Sequence, residues 1–147
     1  MKRDLSVFLC TDPGKLLSCE AFEVYSTCMY KPTFDKYIEK MSSYLDSSDV
    51  NIYLCEEDGA VAGMLVTDHS GEITEIMGIA VASDRRKCGI GRKLINFALE
   101  SENTDKLKAE TDDDAVGFYR SCGFKTEMFR TEYPDGVAVR YECCLCK

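Results

Sequence analysis

The sequence lacks the features that mark membrane proteins and nucleic-acid-binding proteins. No apolar run approaches the ~18 residues of a membrane span, and the first residues, Met1 to Leu5, do not resemble a signal peptide. Lys and Arg total 18 against 26 Asp and Glu, and the resulting net charge of −8 argues against general binding to nucleic acid, which needs a basic face. We therefore expect a cytoplasmic protein with no membrane association and no nucleic-acid partner.

Histidine is almost absent, and cysteine, although abundant, is not arranged for disulfides or metal. His69 is the only histidine and sits beside Asp68 in a predicted loop, so we expect a surface position rather than a catalytic one. The nine cysteines are odd in number and irregularly spaced, which favours reduced thiols over a disulfide framework. Cys143, Cys144 and Cys146 fall in a predicted strand, where neighbours face opposite ways, so we expect no metal site.

No linker rich in Pro, Gly or Ser divides the chain, and its composition fits one compact unit. A length of 147 residues with 45% hydrophobic content can bury a sizeable core. We expect a single domain over residues 1–147.

Hydrophobic periodicity predicts an α/β protein with elements in the order β-α-α-β-β-β-α-β-α-β-β. Residues 5–10 read as a strand, Asp12-Pro13 begins a helix whose apolar stripe runs to Cys28, and a second helix has its stripe from Phe34 to Leu45. The apolar run from Ile76 predicts a central strand buried on both faces. The other predicted elements are strands near 51–56, 60–67 and 72–82, a helix ending near Asn103, a strand over 106–111, a short helix capped by Asp112 and ended by Gly123, and strands near 124–132 and 138–146.

A basic, glycine-rich turn joins the central strand to the helix that follows it. Gly89 and Gly91 allow the backbone to approach a ligand with unpaired N–H groups, and a helix start adds roughly half a positive charge. The cationic side chains around the glycines are Arg85, Arg86, Lys87, Arg92 and Lys93. This pattern is typical of a phosphate-binding turn, although a tight turn with solvated basic residues would show it too.

The spacing of this turn excludes two common phosphate-binding motifs. A Walker loop requires Gly-Lys-Ser/Thr, whereas Gly91 is followed by Arg92-Lys93-Leu94. A dinucleotide-binding fingerprint requires a third Gly or Ala where Leu94 stands, and no early βαβ unit precedes the turn.

Two motifs resemble those of the GCN5-related N-acetyltransferase (GNAT) superfamily. Arg86-x-x-Gly89-x-Gly91 is similar to the Q/R-x-x-G-x-G/A signature, whose loop holds the pyrophosphate of coenzyme A. Residues 112–124 resemble the later N-x-x-A-x-x-F-Y-x-x-x-G-F element, with Asp112 where the family usually has Asn. The motifs stand in the family's order, with room between them for a helix and a strand. The resemblance covers about Asp49 to Phe124.

The resemblance implies the GNAT fold and its chemistry. That fold is a mixed central β-sheet flanked by helices, in which the fourth and fifth strands splay apart and the pantetheine arm of the coenzyme enters the gap. The implied activity is transfer of an acetyl group from acetyl-CoA, a cosubstrate, to a primary amine of a small molecule or peptide by direct attack on the thioester. A homodimer is compatible with the sequence, and no metal is implied.

The resemblance also assigns residues to the coenzyme. Backbone groups of Ile79 and Val81 are expected to pair with the pantetheine amides and to polarise the thioester carbonyl. The other residues expected to contact the coenzyme are Arg86, Lys87, Cys88, Gly89, Ile90, Gly91, Arg92, Asp112 and Tyr119.

Transfer to an amine requires a base and benefits from an acid. An alkyl amine with a pKa of ~10.4 must lose a proton to attack, while the departing thiolate, with a pKa of ~8.5, gains from receiving one. Tyr119 matches the tyrosine that many GNAT enzymes place near the thioester sulfur, and it is the candidate acid. Its position on the apolar side of a predicted helix also fits a core tyrosine with a structural hydrogen bond.

Glu75 is the candidate base. It lies eleven residues before Arg86, at a position resembling the catalytic glutamate of the histone acetyltransferase branch. Glu72 and a chain of waters are alternatives, and in a regular strand only one of the two glutamates can face the acceptor.

The residues leave two other classes of function open. A catalytically silent module that binds or senses acyl-CoA would keep the same phosphate-binding turn, and a thiol- or metal-responsive protein would use the cysteines. The sequence does not identify the acyl acceptor, because in the family it is bound by the segments that match least here.

Overall fold

The structure, a computed structural model, describes residues 5–86 and 88–146. Over these residues the strands are β1 (Leu5–Leu9), β2 (Val50–Glu57), β3 (Ala60–Asp68), β4 (Thr74–Val81), β5 (Lys106–Thr111), β6 (Lys125–Tyr133) and β7 (Gly136–Cys146). The helices are α1 (Pro13–Leu16), α2 (Cys19–Tyr25), α3 (Phe34–Asp46), α4 (Ile90–Ser101) and α5 (Val116–Ser121). Short 3-10 turns cover Ser26–Cys28 and Ser83–Arg85.

The strands form one mixed sheet in the order β1-β2-β3-β4-β5-β7-β6. Neighbouring strands are antiparallel except β4 and β5, which are parallel. These two strands pair only at Thr74 with Leu107 and at Glu75 with Lys108. The predicted mixed sheet with splayed fourth and fifth strands is therefore confirmed.

The first predicted helix is wrong in its extent, because the chain breaks it near Ser18. Ser18 has an extended backbone (φ −125°, ψ 158°), and its hydroxyl accepts a hydrogen bond from the Ala21 amide to begin α2. Asp12 caps α1 in the same way, accepting from the Gly14 amide. A Ser side chain that caps a new helix competes with continuation of the old one. The apolar stripe correctly predicts helical structure in this segment, but it does not predict the interruption of the backbone at Ser18.

The second predicted helix is confirmed as α3. Thr33 caps it by accepting a hydrogen bond from the Lys36 amide. The helix buries Tyr37 and Met41 fully, and the Tyr37 hydroxyl donates a 2.5 Å hydrogen bond to the Leu16 carbonyl. This bond fixes α3 to the end of α1.

Two predicted turns are confirmed by residues with positive φ angles. Asp58 and Gly59 have φ angles of 51° and 85°, which is the pair of positive values that a two-residue hairpin needs between β2 and β3. Asn103, just past α4, has φ 50°, as expected for a left-handed residue that ends a helix.

The sheet carries one apolar core on each face. One core joins the sheet to α4 and α5 through residues such as Leu65, Leu94 and Tyr119. The other joins it to α1, α2 and α3 through residues such as Leu16, Met64 and Tyr37. Helix layers on both faces explain why the central strands read as continuous apolar runs.

Helix α4 approaches the sheet closely at Gly63 of β3. A Cβ placed on Gly63 would lie 2.8 Å from Ile90 Cγ2 and 3.0 Å from Leu94 Cδ1. Contacts this short cannot form unless these side chains or α4 itself shift, so the glycine allows α4 to lie this close to the sheet.

We predict that Gly63→Ala destabilises the protein by about 1–3 kcal/mol, because the added methyl group overpacks the contact with α4. The matched control is Gly117→Ala in α5, where a Cβ meets nothing within 4 Å, and this variant should be neutral or slightly stabilised. Urea unfolding gives the free energy of each. Equal stability of the two variants would contradict the packing argument.

Candidate active site

The splayed region of β4 begins with a β-bulge at Met77. Val66 of β3 pairs with Gly78 and Thr67 pairs with Ile76, so Met77 has no partner on β3. The Tyr25 phenol of α2 lies directly on Gly78, where an added Cβ would be 2.1 Å from Tyr25 Oη. The bulge and the glycine together let α2 pack against β4 where this strand separates from β5.

A cleft of about 560 Å³ occupies the region beside the splayed strands. It brings together seven of the residues predicted to contact the coenzyme: Ile79, Val81, Arg86, Gly89, Ile90, Gly91 and Arg92. The remaining lining residues are Thr27, Cys28, Ala80, Arg85, Phe118, Ser121 and Cys122.

The N-terminus of α4 opens into this cleft. Gly89 precedes the helix with φ 77°, and no side chain caps the first amides. A Cβ at Gly89 would meet nothing within 4 Å, so the space beside this residue, which lines the cleft, is open. Uncapped amides and the helix dipole favour an anion at this place.

Gly91 has a packing role that the sequence did not reveal. A Cβ on Gly91 would lie 2.6 Å from Cε1 of Phe118 in α5. The missing side chain therefore lets the first turn of α4 contact α5, in addition to lining the cleft.

The cationic residues of the turn have different partners. Arg85 Nε donates to Glu57 Oε2 at 2.5 Å, and Arg85 Nη1 lies 2.9 Å from Asp84 Oδ2, so this guanidinium is held beside two carboxylates. The Arg92 guanidinium donates to the Ser121 carbonyl at the end of α5. Arg86 is exposed and faces the cleft. Its orientation leaves it accessible to an anion there.

Besides Tyr119, which does not line the cleft either, two predicted coenzyme residues lie away from its lining. Cys88 is exposed, and its thiol is 3.7 Å from the Arg86 carbonyl. Asp112 accepts hydrogen bonds from the amides of Asp114 (3.0 Å) and Ala115 (3.1 Å), so it caps the turn that leads into α5. The prediction that Asp112 caps the helix itself is wrong in position, because α5 begins after Ala115 and the Asp112 carboxylate is engaged by the turn before it. A third predicted residue, Lys87, lies outside the described residues.

Tyr119 is buried, with 6% of its surface exposed. Its ring packs edge-on against Phe118 and Phe124, with centroids 5.3 and 5.2 Å away. Burial raises the pKa of the Tyr119 phenol above its ordinary value, so the hydroxyl stays protonated at neutral pH. Tyr119 packs behind the cleft-lining residue Phe118 and does not itself line the cleft.

Glu75 lies where β4 and β5 still pair, at the closed end of the splay. Its side chain is 45% exposed, and Oε2 is 3.6 Å from Lys108 Nζ. Glu75 does not line the cleft. Glu72, the alternative, is exposed and precedes the first residue of β4.

Cys28 is a cleft residue that the sequence analysis missed, because it read only as part of an apolar helical stripe. It ends the 3-10 turn after α2, and its thiol donates to the Tyr25 carbonyl at 3.2 Å. The residue is exposed and lines the cleft, and desolvation by the surrounding protein raises the pKa of the Cys28 thiol to about 11. It is therefore a neutral thiol at physiological pH.

The predicted surface position of His69 is confirmed. All nine cysteines are free, and His69 is exposed. Over residues 5–86 and 88–146, no helix is long and apolar enough to span a membrane, and no group of three or more His, Cys, Asp or Glu side chains could hold a metal ion.

Known protein structures share this fold over nearly the whole chain. The ribosomal-protein-S18-alanine N-acetyltransferase of Escherichia coli is 19% identical, with 97% of this chain and 94% of that chain covered and a TM-score of 0.73. A single-residue variant of spermidine N-acetyltransferase from Vibrio cholerae is 16% identical, with 97% and 93% covered and a TM-score of 0.70. A GNAT family acetyltransferase from Elizabethkingia anophelis, with acetyl-CoA bound, is 17% identical, with 97% and 98% covered and a TM-score of 0.68.

Sequence comparison identifies the family. No curated protein sequence matches the chain significantly. A family model described as the acetyltransferase (GNAT) domain matches residues 48–126, more than half of the chain, and this segment contains both the glycine-rich turn before α4 and the whole of α5. The chain belongs to the GNAT acetyltransferase family.

Proposed function

We propose that the protein is an acetyl-CoA-dependent N-acetyltransferase that acts on a primary amine of a small molecule or peptide. The observation that carries the proposal is the uncapped N-terminus of α4, which opens through Gly89 into the cleft beside the splayed strands. A structural neighbour with acetyl-CoA bound supports the choice of cosubstrate.

The residues of the cleft suit the parts of the coenzyme. The amides that follow Gly89 and the guanidinium of Arg86 would hold the pyrophosphate, because both offer donors to an anion. Ile79 and Val81 line the cleft on β4 beyond the last pair with β5, so β5 does not satisfy their backbone groups. These groups would bind the pantetheine amides.

Acetyl-CoA supplies an activated acyl carbonyl carbon. The deprotonated amine forms a bond to that carbon, and the bond to sulfur then breaks to release coenzyme A. Glu75, directly or through water, would take the proton that the amine loses. Tyr119 would give a proton to the departing sulfur, and its raised pKa keeps that proton available at neutral pH.

A silent acyl-CoA-binding module is the second candidate. It is favoured by one observation, the ion pair of Glu75 with Lys108 at the closed end of the splay, away from the cleft lining. Release of coenzyme A in the presence of a panel of amines distinguishes the two functions. The release is best followed by chromatography, because nine protein thiols would react with a thiol dye.

We predict that Gly89→Glu abolishes binding of acetyl-CoA, measured by calorimetry, because a carboxylate would occupy the space in front of the α4 amides. Gly89→Asn separates charge from backbone strain, since Asn tolerates a positive φ angle, and it should retain part of the affinity. Unchanged affinity in a folded Gly89→Glu protein would remove the pyrophosphate from this turn.

Glu75→Gln should lower turnover at neutral pH by ~10²-fold, with partial recovery as the pH rises, because the amine then deprotonates without a base. The control is Glu72→Gln, which should leave turnover near wild type. A defect of equal size at every pH would indicate a structural role for Glu75, and a defect in the control alone would make Glu72 the base.

Tyr119→Phe should keep stability and coenzyme affinity near wild type while turnover falls by up to ~10²-fold, because it removes only the proton donor. Tyr53→Phe is the control for a structural hydroxyl, since Tyr53 donates to Glu102 Oε2 at 2.7 Å. That variant should lose about 1–3 kcal/mol of stability with its rate per folded molecule unchanged. Melting temperature and single-turnover rate are measured on each preparation. A destabilised but fully active Tyr119→Phe protein would make Tyr119 a core residue.

A further inference from the structure

A second cavity, of about 590 Å³, lies against helix α3 and is called here the α3 cavity. Its wall includes one side of the helix, with Lys36, Glu39 and Lys40, and its lining also includes Met77 of the β4 bulge. Cys28 lines both this cavity and the cleft described above. The two spaces therefore border on each other at Cys28, beside β4.

The shared border at Cys28 places the α3 cavity next to the cleft. A molecule in the α3 cavity contacts the bulged side of β4, while Ile79 and Val81 of the same strand line the cleft. An amine that extends from the α3 cavity past Cys28 would enter the cleft near the splayed part of β4. The α3 cavity is thus placed to hold the rest of the acceptor.

The charge of the α3 cavity is opposite to that of the whole chain. Lys36 and Lys40 lie one helical turn apart in its lining, and the Lys31 ammonium lies 5.4 Å from the ring of Tyr30, another lining residue. Glu39 is the carboxylate among the lining side chains. A chain with a net charge of −8 therefore has a local excess of positive charge at this cavity.

The two lysines of the cavity contact a backbone carbonyl and an aromatic ring. Lys36 Nζ donates to the Lys31 carbonyl at 3.1 Å, and Lys40 Nζ lies 5.8 Å from the ring of Tyr44. Neither forms an ion pair within 4.0 Å in the part of the chain that the structure describes. Glu75, on the same strand as Met77, is paired with Lys108. Both lysines retain N–H donors for a ligand.

The other lining residues are suited to an apolar group. Met77 and Tyr30 expose 43% and 83% of their surface, and Met29 and Tyr44 also face the space. Methionine and tyrosine together form adaptable apolar walls.

We propose that the acyl acceptor is a primary amine that also carries a carboxylate and an apolar body, with the carboxylate held by Lys36 and Lys40 of the α3 cavity. This inference rests on the proposed N-acetyltransferase function and specifies its substrate class. A polyamine would place further positive charges beside these lysines, and like charges repel. The amino group, at the other end of the acceptor, points toward the cleft.

The first test compares matched acceptors. Amino acids whose amine and carboxylate stand at opposite ends of an apolar chain, their carboxamides and spermidine are each supplied with acetyl-CoA, and coenzyme A release is measured by chromatography. The carboxamide has the more easily deprotonated amine, so chemistry alone would favour it. We expect the free acid to have the higher kcat/KM and spermidine the lowest.

The second test removes the cations one at a time. Lys40→Gln and Lys36→Gln should each lower kcat/KM for the acid by about tenfold, as expected for loss of a charge-assisted hydrogen bond. The same variants should change kcat/KM for the carboxamide by less than about twofold, since a neutral amide gains little from an ammonium. Lys125→Gln, an exposed lysine of β6, is the matched control and should change neither value.

The outcomes separate the two proposals. Faster use of spermidine or of the carboxamide, or equal losses for acid and carboxamide in the lysine variants, would overturn the substrate class but leave the N-acetyltransferase function standing. Acetyl-CoA binding by calorimetry, with no turnover of any carboxylate-bearing amine, would also overturn the substrate class. Failure to bind acetyl-CoA would overturn the proposed function and this inference together.

Discussion

The separation of β4 from β5 after Glu75 and Lys108 is the constraint on which the site depends. Strands that remained paired would use their backbone donors and acceptors on each other. Because these strands diverge, the backbone of Ile79 and Val81 is left without partners from β5. The bulge at Met77 lies just beyond the last pair of β4 with β5, and Gly78 next to it leaves room for the Tyr25 phenol. The opening therefore arises from the sheet itself, and the helices shape its two sides.

Close packing by glycine then fixes the position of α4 relative to this opening. Gly63 lets the helix approach β3, and Gly91 lets its first turn contact Phe118 of α5. The helix is thus held from two directions near its N-terminus. A proposed phosphate site built from backbone amides needs such support, because amides cannot adjust as side chains do.

The sequence predicted the parts of this structure that follow from local rules. The hairpin at Asp58-Gly59 and the helix end at Asn103 each depend on a few neighbouring residues, and both are observed. The break at Ser18 was missed because an apolar stripe does not distinguish one helix from two helices in sequence. Cys28 and the α3 cavity could not be predicted, since they depend on contacts between α2, α3 and β4 that are distant in the chain. The splay of β4 and β5 was predicted from the resemblance to the GNAT family, because no local sequence pattern indicates it.

The contact of α4 with α5 has a consequence for how this domain can be recombined. Helix α5 has six residues, too few to be stable alone in water, where about 12–15 residues are marginal. Its support includes the space left by Gly91 and the hydrogen bond from Arg92 to Ser121. The two motifs lie far apart in the chain, yet they form one structural module. A chimera that exchanges either motif alone with a distant relative would break the module, whereas an exchange of residues 86–124 as one block would carry both sides of the contact.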